Sequence, residues 1–67
     1  MNFIVIKAEI EKKQGFSFVE IRIGNNPLKK LNFVLPVTEV NMLEVMTAQL
    51  LNLSLEDIRK IISYLKN

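Results

Sequence analysis

Apolar and polar positions alternate with a period of two over the first half of the chain and recur at helical spacing over the second. In residues 3–10, Ile4, Ile6, Ala8 and Ile10 fall on one side, and Phe3, Val5, Lys7 and Glu9 on the other. That is the signature of a half-buried strand. Residues 16–23 repeat it, with Val19, Ile21 and Ile23 opposed to Phe16, Phe18, Glu20 and Arg22. Between them, Glu11-Lys12-Lys13-Gln14-Gly15 is polar and ends in a residue that tolerates positive φ, so it predicts a hairpin loop. A register pairing Ile6 with Ile21 puts both aliphatic sets on one face and sets Lys7 opposite Glu20. Gly24-Asn25-Asn26-Pro27 predicts a turn. Lys30 to Leu35 predicts a shorter third strand with Leu31, Phe33 and Leu35 inward, ended by Pro36.

From Val37 to Asn52 the period lengthens. Val40, Leu43, Met46, Leu50 and Leu51 form a broad stripe with Asn41, Glu44, Ala48 and Asn52 opposite, which predicts an amphipathic helix. Thr38 is the expected N-cap, with Glu39 in the first turn. Asn52 is the expected stop, because asparagine accepts the left-handed conformation at a helix end. A second helix is expected from Ser54, where Ser54-Leu55-Glu56-Asp57 forms a capping-box variant. Leu53 and Ile58 are spaced for a hydrophobic staple, and Lys66 closes the helix. Its stripe is Leu55, Ile58, Ile61, Ile62 and Leu65. The predicted fold is α+β, a three-stranded antiparallel β-meander followed by two α-helices packed on one sheet face (βββαα), in a single domain of residues 1–67.

Composition narrows the chemistry. With 67 residues, a domain hides only about 60% of the surface its unfolded chain exposes, so its core is thin. The usual supplements are a disulfide, a metal or a partner subunit. Cys 0 and His 0 exclude disulfides and leave only oxygen ligands for a metal. The same zeros exclude Ser-His-Asp and Cys-His catalysis. The carboxylates read as lying on strand faces, in a loop or at helix ends, none where desolvation would tune a general acid or base. No phosphate-cradling glycine loop occurs. These observations predict a protein that is not an enzyme and needs no cofactor or metal. The run Met1–Lys7 is too short for a signal peptide, and no stretch approaches the roughly 18 apolar residues of a membrane span. A soluble, cytoplasmic protein is expected.

Two helices can cover only one face of such a sheet. The other face presents Phe3, Val5, Phe16, Phe18 and Val34 among charged residues, and burying each large side chain is worth roughly 1.5–3 kcal/mol. A partner is expected there, and a second copy of the chain is the first expectation. Another protein is a further possibility. Met42 and Met46, one turn apart, are expected to belong to the core stripe and its edge rather than to a peptide groove.

Nucleic acid is the alternative partner. Residues 1–35 carry six Lys and Arg against three Glu, while residues 36–67 carry three against four acidic residues. A polyanion would therefore meet the first half. Gly15-Phe16-Ser17-Phe18-Val19-Glu20-Ile21 resembles the Gly-aromatic-small-aromatic-Val segment of RNA-recognition-motif domains and a similar run in cold-shock domains. The resemblance implies that Phe16 and Phe18 stack on unpaired bases, with Lys7, Lys12, Lys13, Arg22 and Lys30 available to phosphates. It covers seven residues and departs at Gln14, where a basic residue precedes the glycine, and at Ile21, which replaces a final aromatic. The βββαα order also differs from both families. Residues 45–62 separately resemble a helix-turn-helix through Ala48, Leu51, Asn52, Leu53, Ile58 and Ile61, which implies a recognition helix starting at Ser54. Its first turn would present acidic Glu56 and Asp57.

Overall fold

The period-two segments fold as strands β1 (Ile4–Glu11), β2 (Phe16–Ile23) and β3 (Lys30–Leu35). They belong to a computed structural model that describes residues 4–24 and 29–65. Phe3, the Asn25-Asn26-Pro27 part of the turn and Lys66 lie outside the described residues. β1 and β2 pair antiparallel with Ile6 opposite Ile21 and Lys7 opposite Glu20, and β2 pairs antiparallel with β3. The expected register therefore holds. The hairpin closes through the Gln14 and Gly15 N–H groups, which donate to the Glu11 carbonyl at 3.2 and 2.9 Å. Gly15 sits at φ +82°, a conformation that costs glycine nothing.

The helices are α1 (Val40–Leu51) and α2 (Leu55–Ile61). Asn52 ends α1 in the left-handed conformation at φ 55°, ψ 42°, and the Ser54 side chain accepts from the Asp57 N–H at 3.1 Å to start α2. Both expectations hold because each rests on one residue's own hydrogen-bonding and backbone preferences. The expected N-cap at Thr38 is corrected. The cap is Glu39, in extended conformation and without a side-chain bond, while its carbonyl accepts from Leu43 at 3.0 Å.

A larger correction concerns the C-terminal segment. The helix expected over residues 55–65 ends at Ile61, and Ile62–Leu65 forms a fourth strand, β4, parallel to β1. The sheet is thus four-stranded and mixed, in the order β3-β2-β1-β4. Ile62, Ser63, Tyr64 and Leu65 fit period two as well as helical spacing. Isoleucine and tyrosine favour a pleated surface. The deciding term is nonlocal, since β4 satisfies backbone groups along an edge of β1 that would otherwise lack partners.

The core lies between one sheet face and the helices. Ile6, Ala8, Val19, Ile21 and Leu35 meet Leu43, Ala48 and Ile58, all buried. Ile4, Ile10, Ile23 and Phe33 pack at its margin, but Leu31, expected beneath the helices, is 45% exposed on the edge strand. The stripe expected for α1 is rotated. Glu44, Thr47 and Ala48 are buried with Leu43, whereas Val40 and Leu50 are exposed. Among the described residues every buried polar side chain has a partner, which makes its burial tolerable. Thr47 Oγ1 donates to the Leu43 carbonyl at 2.7 Å. The Glu44 carboxylate accepts from Arg59 Nε at 3.0 Å and from the Tyr64 hydroxyl at 2.8 Å. None of the described helices is long and apolar enough to cross a membrane.

Candidate functional site

The face of the sheet opposite the helices is ordered by the strand register into rows. Val34, Phe18, Glu9 and Leu65 form one row across β3, β2, β1 and β4. Asn32, Glu20, Lys7 and Ser63 form the next, and Lys30, Arg22 and Val5 a third. Phe16 lies beyond the first row at the hairpin end, paired with Glu11. The face is therefore divided, with a mainly aromatic and aliphatic half beside the hairpin, shared by Glu9 and Glu11, and a charged half beside the turn after β2.

Both halves are open, and the apolar half exposes large side chains. Phe18 is 45%, Val34 62% and Leu65 58% accessible. The Phe16 and Phe18 rings meet edge to face, with centroids 5.0 Å apart at 77°. Such a pair contributes about 0.5–1.5 kcal/mol beyond its buried area. It leaves Phe18 uncovered. Phe18, Val34 and Leu65 line a shallow depression of about 440 Å³, whose other walls include Lys7, Glu20 and Asn32.

The charged half is internally paired. Glu20 bridges Lys30 at 2.9 Å and Arg22 at 3.5 Å. The hydrogen bond from Lys30, chiefly, with the charges of Lys30, Arg22 and Lys7, holds the Glu20 carboxyl below the ordinary glutamate value, against a lesser push upward from desolvation. Lys12 and Lys13 stand apart from this network, exposed in the hairpin loop.

Of the residues expected to form the site, Val5, Phe16, Phe18 and Val34 share the uncovered face, with Phe18 and Val34 directly paired. Val5 sits in the charged half, and Phe3 lies outside the described residues. The five cations divide: Lys7, Arg22 and Lys30 join the charged half, and Lys12 and Lys13 flank the aromatic end.

Sequence reasoning missed three features. Leu65 was expected on a helix stripe and instead completes the apolar row. The signal was the Ile62-Ser63-Tyr64-Leu65 alternation. Ser17, between the two phenylalanines, is fully buried on the core face, and its hydroxyl donates to the Val37 carbonyl at 2.6 Å. The small residue in that segment is thus a strut between β2 and the approach to α1. Third, α1 turns Met42, Val45 and Leu50 outward beside Asn41 and Gln49, an exposed helix surface carrying no charge.

The buried carboxylate of Glu44 corrects the expectation that no acidic residue enters an apolar setting. Its two partners come from α2 and β4, so it ties three elements together. Burial, chiefly, and the Glu44 carboxylate raise the Tyr64 phenol well above its ordinary value, with Arg59 opposing in part. Comparisons with protein-family models, curated proteins and solved structures find no match to the chain.

Proposed function

We propose that this protein is a non-enzymatic, cytoplasmic binding module that associates with a second copy of itself through the apolar half of its uncovered sheet face. The observation that carries the reading is the exposure of Val34 and Leu65, each more than half, and of Phe18, at 45%, in a row shared with Glu9 on a face no described element covers. A self-complementary apolar patch can meet its own copy about a twofold axis, with the paired Glu20-Lys30-Arg22 network left at the rim. Strand spacings of about 4.8 Å and 3.4 Å per residue make the whole face roughly 19 by 27 Å. Half of that is less than the about 800 Å² per partner of a standard stable interface. The association is accordingly weak and concentration-dependent. Sedimentation velocity tests it: the wild type should gain mass with concentration, and Phe16→Ser/Phe18→Ser should lessen that gain. A wild type that stays monomeric at millimolar concentration refutes the reading.

A second reading, single-stranded nucleic-acid binding, is favoured by one feature. Lys12 and Lys13 are exposed in the loop adjoining Phe16, so cations and rings share one end of the sheet. Arg22 and Lys30, already engaged by Glu20, support it less. Labelled poly-dT and poly-U titrated across a salt series test it, with Lys12→Ala/Lys13→Ala expected to flatten the salt slope. The helix-turn-helix alternative is left with a seven-residue α2, about 10 Å long, which opens on two acidic residues and runs directly into the sheet.

A further inference from the structure

The outer edge of β3 carries an inference separate from the sheet face. The Ile23 N–H donates to the Lys29 carbonyl at 3.2 Å, which makes that pair a hydrogen-bonded position of the antiparallel ladder. Alternation along the ladder then gives Ile21/Leu31, Val19/Phe33 and Ser17/Leu35 the same status. By the same rule, the N–H and C=O groups of Lys30, Asn32 and Val34 turn away from β2 toward the open edge. Among the described residues nothing pairs with that edge, because β3 ends the sheet order. Protected edges carry lysines or other charges, an inward charge, a proline within the strand or a bulge; β3 has one lysine, at its first residue, and Glu20 engages it at 2.9 Å. β3 reads Lys-Leu-Asn-Phe-Val-Leu, with its proline only after the last residue.

We propose that two copies of the chain pair β3 against β3 in antiparallel register about a twofold axis at Asn32, joining their sheets into one of eight strands. In this register Lys30 faces Val34 of the second copy, Asn32 faces Asn32, and Val34 faces Lys30. These are the three positions whose backbone groups point outward, so each pair exchanges two bonds, about six in all. Shifting the axis to Phe33 brings Pro36, which has no N–H, opposite Lys30. Shifting it to Lys30 sets two ammonium groups face to face. The chosen register also places Leu31 beside Phe33 of the second copy on the core side. It thereby covers the one inward β3 residue that the helices leave exposed, at 45%. β4, with four residues, offers a shorter edge.

Cysteine crosslinking decides it, since the chain contains Cys 0. A hydrogen-bonded antiparallel pair separates Cα atoms by about 5.5 Å, within disulfide range, whereas sheets stacked face to face stand about 10 Å apart, outside it. Asn32→Cys should oxidise to a covalent dimer at least tenfold faster than Lys30→Cys, whose two copies lie about four residues out of register. An equal mixture of Lys30→Cys and Val34→Cys should crosslink to each other. Equal rates for Asn32→Cys and Lys30→Cys, or no crosslinking of Asn32→Cys, overturn the proposal. Asn32→Pro supplies the second arm. Its lost N–H points to solvent in the monomer, where proline is tolerated, so circular dichroism should be unchanged while edge pairing is lost. A variant that folds and still forms the wild-type assembly also overturns the proposal. Edge and face readings fail separately: Phe16→Ser/Phe18→Ser leaves Asn32→Cys crosslinking intact if β3 pairs, whether or not the faces associate.

Discussion

Individual residues here act through what they touch rather than through their intrinsic character. Glu44 would be a liability in the core by itself, yet Arg59 and Tyr64 satisfy both of its oxygens. Removing the tyrosine hydroxyl should cost roughly 1.5–3 kcal/mol, the range for a hydrogen bond to a charged group. Urea unfolding of Tyr64→Phe against the wild type measures it. The raised Tyr64 value has a direction in pH. The folded state favours the neutral phenol, so this contribution is complete below the ordinary tyrosine value of about 10. It is lost as pH rises from there through the folded value. Wild type should lose stability above about pH 10 more steeply than Tyr64→Phe. Glu20 behaves oppositely. Its lowered value favours the charged form in the folded state, so its contribution is present above the ordinary glutamate range and fades as pH falls through the folded value. Lys30→Gln should move the Glu20 carboxyl midpoint upward in an NMR titration, because the largest cause of its depression is removed. The pairings of Glu44 were not legible in the sequence, since partners fifteen and twenty residues apart on different elements have no local signature.

At the scale of elements, α1 separates periodicity from packing. Large apolar residues define the expected stripe, but the helix turns its small and hydrogen-bonded residues inward. Thr47 and Ala48 are buried on its inner side, and Leu43 is fully buried in the cluster shared with the sheet. Leu43→Ala should therefore cost about 2–5 kcal/mol as a core truncation. Leu50→Lys should stay within about 0.5 kcal/mol, as an exposed substitution does. Thermal denaturation of both variants discriminates, because the sequence pattern alone ranks them as equals. The caps were more readable. Ser54→Ala removes an observed N-cap bond and should cost about 1 kcal/mol. The strands were readable too, because period two admits only one partition of the meander into inner and outer sets. β4 was not, since a four-residue segment fits either period and only its distance from β1 decides.

For the whole molecule, the consequence is an unequal distribution of cover. One sheet face and two helices bury a small core, while the accessible surface of 4976 Å² retains exposed apolar side chains on the sheet, on the β3 edge and on α1. A domain of this size has only a few kcal/mol to spare, so burial against a second copy should add visibly to its stability. Association of folded copies links stability to concentration. Tm should rise with protein concentration for the wild type and become flat when Phe16→Ser/Phe18→Ser and Asn32→Pro are combined. Scanning calorimetry over a hundredfold range of concentration checks this. A flat wild-type Tm would mean that neither surface has a second copy as its occupant.

The amino-acid sequence by itself determined the three-strand meander, its register, the existence of two helices and the placement of Phe16 and Phe18 away from the core. Each follows from short-range rules, namely the alternation of side chains across a pleat, the backbone tolerance of Gly15 and Asn52, and the capping chemistry of Ser54. The tertiary structure alone decided that Ile62–Leu65 is a strand, that α1 buries Glu44 and Thr47, and that Leu65 joins Phe18 and Val34. Those outcomes depend on which backbone and side-chain groups still lack a partner once the meander has formed, and such a debt is settled between segments far apart in the chain.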